Sequence, residues 1–265
     1  MILLTLNVFA LRAAALMGLL VLSAGAWAQI VTPPDGQWRG TGGAALSATS
    51  GNTDTAVLGL QADLARATPD NRLALLTSAN YGRNRAQGVR NTTASKWALA
   101  GQYDHNQLPP LYAFTRLGFE GDEVIALALR STVAAGVGYK VLQGQPTTLN
   151  LFVGGAYSSD RYRREQTVDG VAGRRFSRVS FYLGQESVHT LTANTIFKQR
   201  LELYPGWSGD RAVLARFNAA LLVAMTSSLS VSLSFVNSYN SNPPAGNRRN
   251  DAALLVGINA QFGPQ

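Results

Sequence analysis

Leu229-Ser230-Val231-Ser232-Leu233-Ser234-Phe235 decides how the rest of the chain is read. Large apolar residues take every odd position and serine every even one. A strand points successive side chains to opposite faces, so this stretch has one apolar face and one small polar face. A helix would spread the same residues around its whole circumference. The stretch is therefore a strand, and the fold turns on what its apolar face touches.

The same alternation continues in both directions. Leu254, Val256, Ile258, Ala260 and Phe262 share one phase on the C-terminal side. On the N-terminal side the phases include Val213 to Val223, Phe197 to Leu203, Val179 to Leu183, Leu149 to Tyr157 and Val133 to Tyr139. Further back come Ala113 to Phe119, Trp97 to Tyr103, Leu73 to Tyr81, Ala56 to Leu64 and Trp38 to Ala48. This predicts about 12 strands, each near the ~9–11 residues that a tilted membrane strand needs. Tight turns are expected at 68–71, 107–110, 143–146 and 225–228, and longer polar loops at 83–90, 160–175 and 239–250. Short turns at one end and long loops at the other are the pattern of an outer-membrane barrel.

Composition supports that direction. Of 265 residues, 46% are hydrophobic but only 14% are charged, against ~25% in soluble domains. Mean hydropathy is +0.01, and beyond the N-terminus there is no apolar run long enough for a helical membrane bundle. The chain has no cysteine, which excludes disulfides and thiolate metal sites. Residues 1–28 read as a signal peptide: Arg12, an apolar stretch from Ala13 to Ala24, then Ala26-Trp27-Ala28 as the cleavage site. Residues 29–37 form a short lead, and 38–262 the barrel.

A soluble sandwich would hide the apolar phase and show Lys and Glu on the other. Here the other phase is mostly Ser, Thr, Asn, Gly and Ala, a poor solvent surface and a good crowded lumen. A soluble barrel of about 12 strands would be too wide for side chains to fill, since about eight already reach that limit. Only a closed barrel satisfies every backbone group of a sheet in lipid. The expected fold is all-β: an antiparallel up-and-down transmembrane β-barrel of about 12 strands. Trp38, Tyr81, Trp97, Tyr103, Tyr139 and Tyr157, near strand ends, are expected to form interfacial girdles.

Several stretches carry a resemblance to a known family. They are Gly51-Asn52-Thr53-Asp54-Thr55, Tyr112-Ala113-Phe114 with Glu120-Gly121-Asp122, Gly136-Val137-Gly138-Tyr139, and Tyr239-Asn240-Ser241-Asn242-Pro243-Pro244 followed by Asp251. In that order and spacing, the chain resembles the YdiY-like family of proposed salt-induced outer-membrane proteins. The resemblance implies a single outer-membrane barrel and no established activity.

Catalytic and metal chemistry find little footing. His105 and His189 are the only imidazoles, and strand parity puts both at the turn end of the barrel. Asp104-His105 is no dyad, because adjacent strand residues point to opposite faces. Gly136-Val137-Gly138 lacks the helix and third glycine of a dinucleotide loop. No cofactor is expected.

The inward-phase charges are the first candidate site. Arg116, Glu120, Arg130, Lys198, Arg200 and Glu202 are the leading lumen residues, with Asp63, Lys96, Lys140 and Glu186 in the same phase. Glu120 and Arg130 flank one hairpin and are placed to face each other. Two readings stay open: the charges line an aqueous path and set its ion selectivity, or they pair into ladders that plug the lumen, since unpaired buried charge is costly.

Arginines form the second candidate. The formal net charge is +8, and Arg161, Arg163, Arg164, Arg174 and Arg175 crowd one connection, with Arg83, Arg85, Arg90, Arg248 and Arg249 at the same end. Guanidinium forks match phosphates, so this end suits contact with lipopolysaccharide; the alternative is an ordinary solvated loop. Nucleic acid is not an expected partner, for no groove or stacking platform is visible. The expected partners are outer-membrane lipid, lipopolysaccharide and the barrel-assembly machinery. The expected role is a non-enzymatic outer-membrane barrel, either a narrow channel or a structural barrel with a cationic rim. The alternative is a barrel enzyme acting on lipid or glycolipid, which needs an inward Ser/Asp/His cluster at the outer end.

Overall fold

Alternation resolves into strands β1 (Trp38–Thr49), β2 (Thr53–Ala67), β3 (Asn71–Ala86), β4 (Val89–Leu108), β5 (Leu111–Asp122) and β6 (Leu127–Leu142). They continue as β7 (Thr147–Val168), β8 (Val171–Thr192), β9 (Thr195–Pro205), β10 (Val213–Ala224), β11 (Leu229–Asn240) and β12 (Asn250–Phe262). The computed structural model describes residues 32–49, 53–86, 89–168, 170–207, 212–244 and 249–264. The expected signal peptide at 1–28, Gly51-Asn52 of the first hairpin and Arg248 lie outside the described residues, as do the side chains of Arg85 and Arg90.

Every strand pairs antiparallel with its sequence neighbours, and β12 closes onto β1 from Gly40↔Phe262 to Leu46↔Val256. The chain is thus a closed twelve-stranded barrel with no open edge. In β11 the odd residues Leu229, Val231, Leu233 and Phe235 face outward and are exposed, while Ser230, Ser232 and Ser234 point inward with 2%, 6% and 5% exposure. Leu46, Leu60, Leu99, Val137, Val153, Val256 and Ile258 continue the exposed apolar wall. So large an apolar surface is untenable in water and matches lipid. The barrel is transmembrane.

All six proposed girdle aromatics are exposed on the outer wall. Trp38, Tyr103 and Tyr139 sit toward the turn end, and Tyr81, Trp97 and Tyr157 toward the other, here called the hairpin end. Tyr103 pairs with Leu73, which lies on the same strand as Tyr81. At ~3.4 Å per residue the two levels are roughly 27 Å apart along the strand, or about 20 Å along the barrel axis after the tilt, close to the ~25 Å apolar band of such barrels.

Two expected loops are strands instead. Residues 83–90 belong to β3 and β4 apart from 87–88, and 160–175 extend the β7–β8 hairpin as far as Val168↔Val171. Alternation persists there but changes chemistry. Tyr162 and Phe176 pack edge to face at 5.9 Å on the inner side, while Arg161 and Arg175 stand exposed on the outer side. Beyond the lipid an outer face can be charged, so the apolar signal used to recognise a strand disappears. With 22 residues each, β7 and β8 run about 70 Å and stand well clear of the apolar band.

The interior is asymmetric. On the β11–β12–β1–β2 side the inward serines Ser230, Ser232 and Ser234 and Asn259 share the interior with a small apolar cluster of Val57, Ala253 and Leu255. The opposite side holds an aromatic core, with Tyr112, Phe114, Phe152, Tyr182 and Tyr204 packed around Ala134 and Ala156. Phe114 meets Phe152 and Tyr182 edge to face at 6.0 and 5.7 Å, and Tyr182 meets Tyr204 at 4.9 Å. At the turn end the Arg39 fork grips Asp35 at 2.8 and 2.6 Å and Pro264 O at 2.9 Å, tying the lead to the chain's last residues. That fork holds the Asp35 carboxyl well below the usual carboxylate range.

Candidate functional site

The six lumen candidates point into the barrel, and all but Lys198 form parts of two ion clusters. The first is built by register. Glu120 pairs with Arg130 across β5–β6, and Arg130 with Asp160 across β6–β7, so three inward charges stand in one row. Arg130 donates Nη1 to Glu120 at 2.8 Å, and Nε and Nη2 to Asp160 at 2.6 and 2.5 Å. Arg216 on β10 completes the cluster from far around the wall. Its Nη2 reaches both Glu120 oxygens, at 3.0 and 2.8 Å.

The second cluster centres on Arg200. Its direct neighbour on β8 is Glu186, which accepts from Nη1 at 2.6 Å. Nε and Nη2 donate to Glu202 Oε1 at 3.1 and 2.9 Å, and Nη2 also reaches the Tyr182 hydroxyl at 3.0 Å. The Tyr182 hydroxyl donates to Glu202 Oε1 at 2.5 Å. Arg116 lies 3.9 Å from Glu202 and donates to Gln102 at 3.2 Å. The Arg200 guanidinium sits 5.1 Å above the Phe152 ring and Arg216 5.9 Å from Tyr204, so the aromatic core seats both cations. Lys198 interacts with Asp63, which projects from the far wall.

Four guanidiniums (Arg116, Arg130, Arg200, Arg216) thus meet four carboxylates (Glu120, Asp160, Glu186, Glu202), a balance that limits the cost of burying charge. The strand order decides what these contacts mean. β5 and β10 stand nearly opposite each other in the barrel, as do β4 and β9, and β2 and β9. Arg216–Glu120, Arg200–Gln102 at 3.4 Å and Lys198–Asp63 therefore cross the lumen. At the levels of Arg216 and Arg200 the opposite walls touch through side chains. Interior cavities of about 20 Å³, beside Gln61, Asn80 and Asn259, and about 30 Å³, beside Arg116 and Arg216, each have room for a water. Buried Ser78 Oγ, Asn80 Nδ2 and Ser230 Oγ lack protein partners, which suits such water.

Sequence reading missed Arg216, Asp160, Gln102 and Tyr182. The signal for Arg216 was there, because Val213, Phe217 and Leu221 face out and leave Arg216 in the inward phase. Asp160 was hidden by the assignment of 160–175 to a loop.

The five rim arginines all lie on the β7–β8 hairpin and are exposed. Arg163 pairs with Glu123 at 3.2 Å, both side chains well solvated. Arg161 and Arg175 are direct cross-strand partners. Both histidines are at the turn end. His105 Nδ1 lies 2.7 Å from Asn71 Oδ1. His189 Nε2 lies 3.0 Å from Ser187 Oγ, but its Nδ1 meets Thr147 Oγ1 at 3.2 Å rather than a carboxylate. No group of three or more His, Asp or Glu able to hold a metal occurs among the described residues.

Among solved structures, the chain is similar to the COG4313 outer-membrane channel from Pseudomonas putida F1, with 12% identity, a TM-score of 0.49, and coverage of 92% of this chain and 100% of that one. It is similar to the translocator domain of autotransporter NalP from Neisseria meningitidis, with 10% identity, a TM-score of 0.47, and coverage of 97% and 95%. It is also similar to the NanC porin, with 10% identity, a TM-score of 0.44, and coverage of 84% and 97%. No curated protein matches the chain. Residues 42–262, nearly the whole barrel, match the family described as "Protein of unknown function, DUF481". The chain, a transmembrane β-barrel, belongs to that family, which is commonly called YdiY-like.

Proposed function

We propose that this chain is a non-enzymatic barrel of the Gram-negative outer membrane, closed at rest by its own charged and aromatic interior. The cross-lumen contact between Arg216 and Glu120 carries the reading. A pore that conducts in its resting state keeps its charged side chains on the wall, with water between them. Here the same side chains bridge the walls, and passage of solute requires Arg216 and Arg200 to leave their carboxylates. The protein is then a narrow, gated channel or a structural barrel. In this reading residues 1–28 are a cleaved signal peptide, the barrel-assembly machinery inserts the chain, and the turn end faces the periplasm. The arginine-rich hairpin then lies among lipopolysaccharide head groups.

Planar bilayer recording of the purified barrel tests the proposal. Expected are small or no unitary conductances. Large, steady, ohmic steps from the unmodified protein would overturn it.

A further inference from the structure

The outer wall carries a feature that the closed lumen does not explain. At the hairpin end, a crevice of about 250 Å³ opens on the lipid-facing side between β2 and β5. Leu58, Leu60, Ala79, Tyr81 and Trp97 give it an apolar part, and Lys96, Asp122 and Glu123 add charge to the rest of its lining. Gly121 helps keep it open: a Cβ there would meet the Trp97 indole within 3 Å. Arg163 lines the crevice from above, beside Glu123. On the Tyr81 side, Arg83 donates Nε to the Tyr81 hydroxyl and lies 5.1 Å from the ring centroid.

The adjoining face of β7 and β8 shows how the headgroup end is built. Three cross-strand pairs ascend from the apolar band: Tyr157 with Val179, Ser159 with Ser177, then Arg161 with Arg175. All six residues are exposed. Four residues at ~3.4 Å each put the arginine pair roughly 14 Å beyond Tyr157 along the strand, where lipid headgroups begin. Like charges directly opposite on a strand pair destabilise it unless an anion joins them. Neither guanidinium has an ion-pair partner among the described residues. Arg163 projects from the same face, one alternation further on. Its pair with Glu123 is solvated and weak, so a phosphate can replace that carboxylate.

From these features we infer a lipid-binding site on the outer wall, in which Arg161, Arg175 and Arg163 hold the phosphates of a multiply phosphorylated glycolipid and the crevice beside Tyr81 and Trp97 takes one of its acyl chains. Several clustered cations favour a ligand with more than one phosphate over a singly charged phospholipid. The site rests on the reading that the hairpin end faces the outer leaflet.

The test uses the purified barrel in mild detergent and native mass spectrometry. Probes are bisphosphorylated hexa-acyl lipid A, its deacylated disaccharide and phosphatidylglycerol. Expected is about tenfold tighter retention of lipid A than of phosphatidylglycerol. The double variant Arg161→Glu/Arg175→Glu, or the milder Arg161→Gln/Arg175→Gln, should remove about tenfold of that affinity. Ala79→Leu, which fills the crevice with a lipid-compatible side chain, should weaken lipid A but leave the deacylated sugar unchanged. Equal retention of lipid A and phosphatidylglycerol, or full binding by the charge-reversed variant, overturns the site. If Arg164→Glu/Arg174→Glu weakens binding as much as the Arg161/Arg175 change and Ala79→Leu is silent, the diffuse cationic rim stands and the specific site fails. If no variant alters retention, both fail. A heat-dependent shift in gel mobility checks that each variant has folded.

Discussion

Glu120 and Arg216 offer the most direct test of the closed lumen, because they are 96 positions apart in the chain and meet only if the barrel closes as described. Glu120→Gln keeps the side chain's volume and one acceptor but removes its charge. Arg130 then retains its fork on Asp160, while Arg216 loses the carboxylate that both of its short contacts use. Breaking one side of a buried pair costs about 3–5 kcal/mol. The Arg216 side chain keeps 26% exposure, which puts the expected cost at the low end, about 3 kcal/mol. Arg216→Gln should cost somewhat less, since Glu120 still accepts from Arg130 at 2.8 Å. The double variant removes both charges together, so it should be more stable than the sum of the singles by about 1.5–3 kcal/mol. Urea unfolding of the barrel in lipid vesicles, followed by tryptophan emission, measures all four corners of the cycle. The same double variant should conduct more than the parent in planar bilayers, because the bridge between opposite walls is gone. A coupling below about 0.5 kcal/mol would refute the reasoning: the two side chains would then be separately solvated and the lumen open between them.

Two further outcomes follow from the faces of the strands. Val231→Lys puts an ammonium on the exposed apolar wall and should cost about 2–4 kcal/mol or abolish membrane assembly. Ser232→Lys, pointing into the polar interior, should cost less; equal effects in a vesicle-folding assay would mean that the faces are reversed. Gly136→Ala should destabilise by about 1–3 kcal/mol, because its Cβ would run into the Val153 carbonyl and Gly154 Cα, which are backbone and cannot yield. Gly155→Ala, with open space around it, should be close to neutral in the same urea titration.

Much of this protein was legible in its order of residues. Period-two alternation is a local property, so Leu229 to Phe235 alone fixes a strand with one apolar and one polar face, and the low charge and the number of such strands assign lipid to the first and lumen to the second. The twelve strands, the two aromatic levels and the inward set from Arg116 to Glu202 follow by the same parity. Parity failed at 160–175, where both faces turn polar beyond the lipid and the strand loses its apolar signature. The joining of Arg216 to Glu120 and of Arg200 to Gln102 was beyond it altogether. Alternation says which residues point inward, but not which opposite residues they meet. That depends on strand number and stagger, which set the circumference and bring distant strands face to face across the lumen. Whether inward charges line a pore or close it is decided there, by whether an arginine's reach spans the space left between walls.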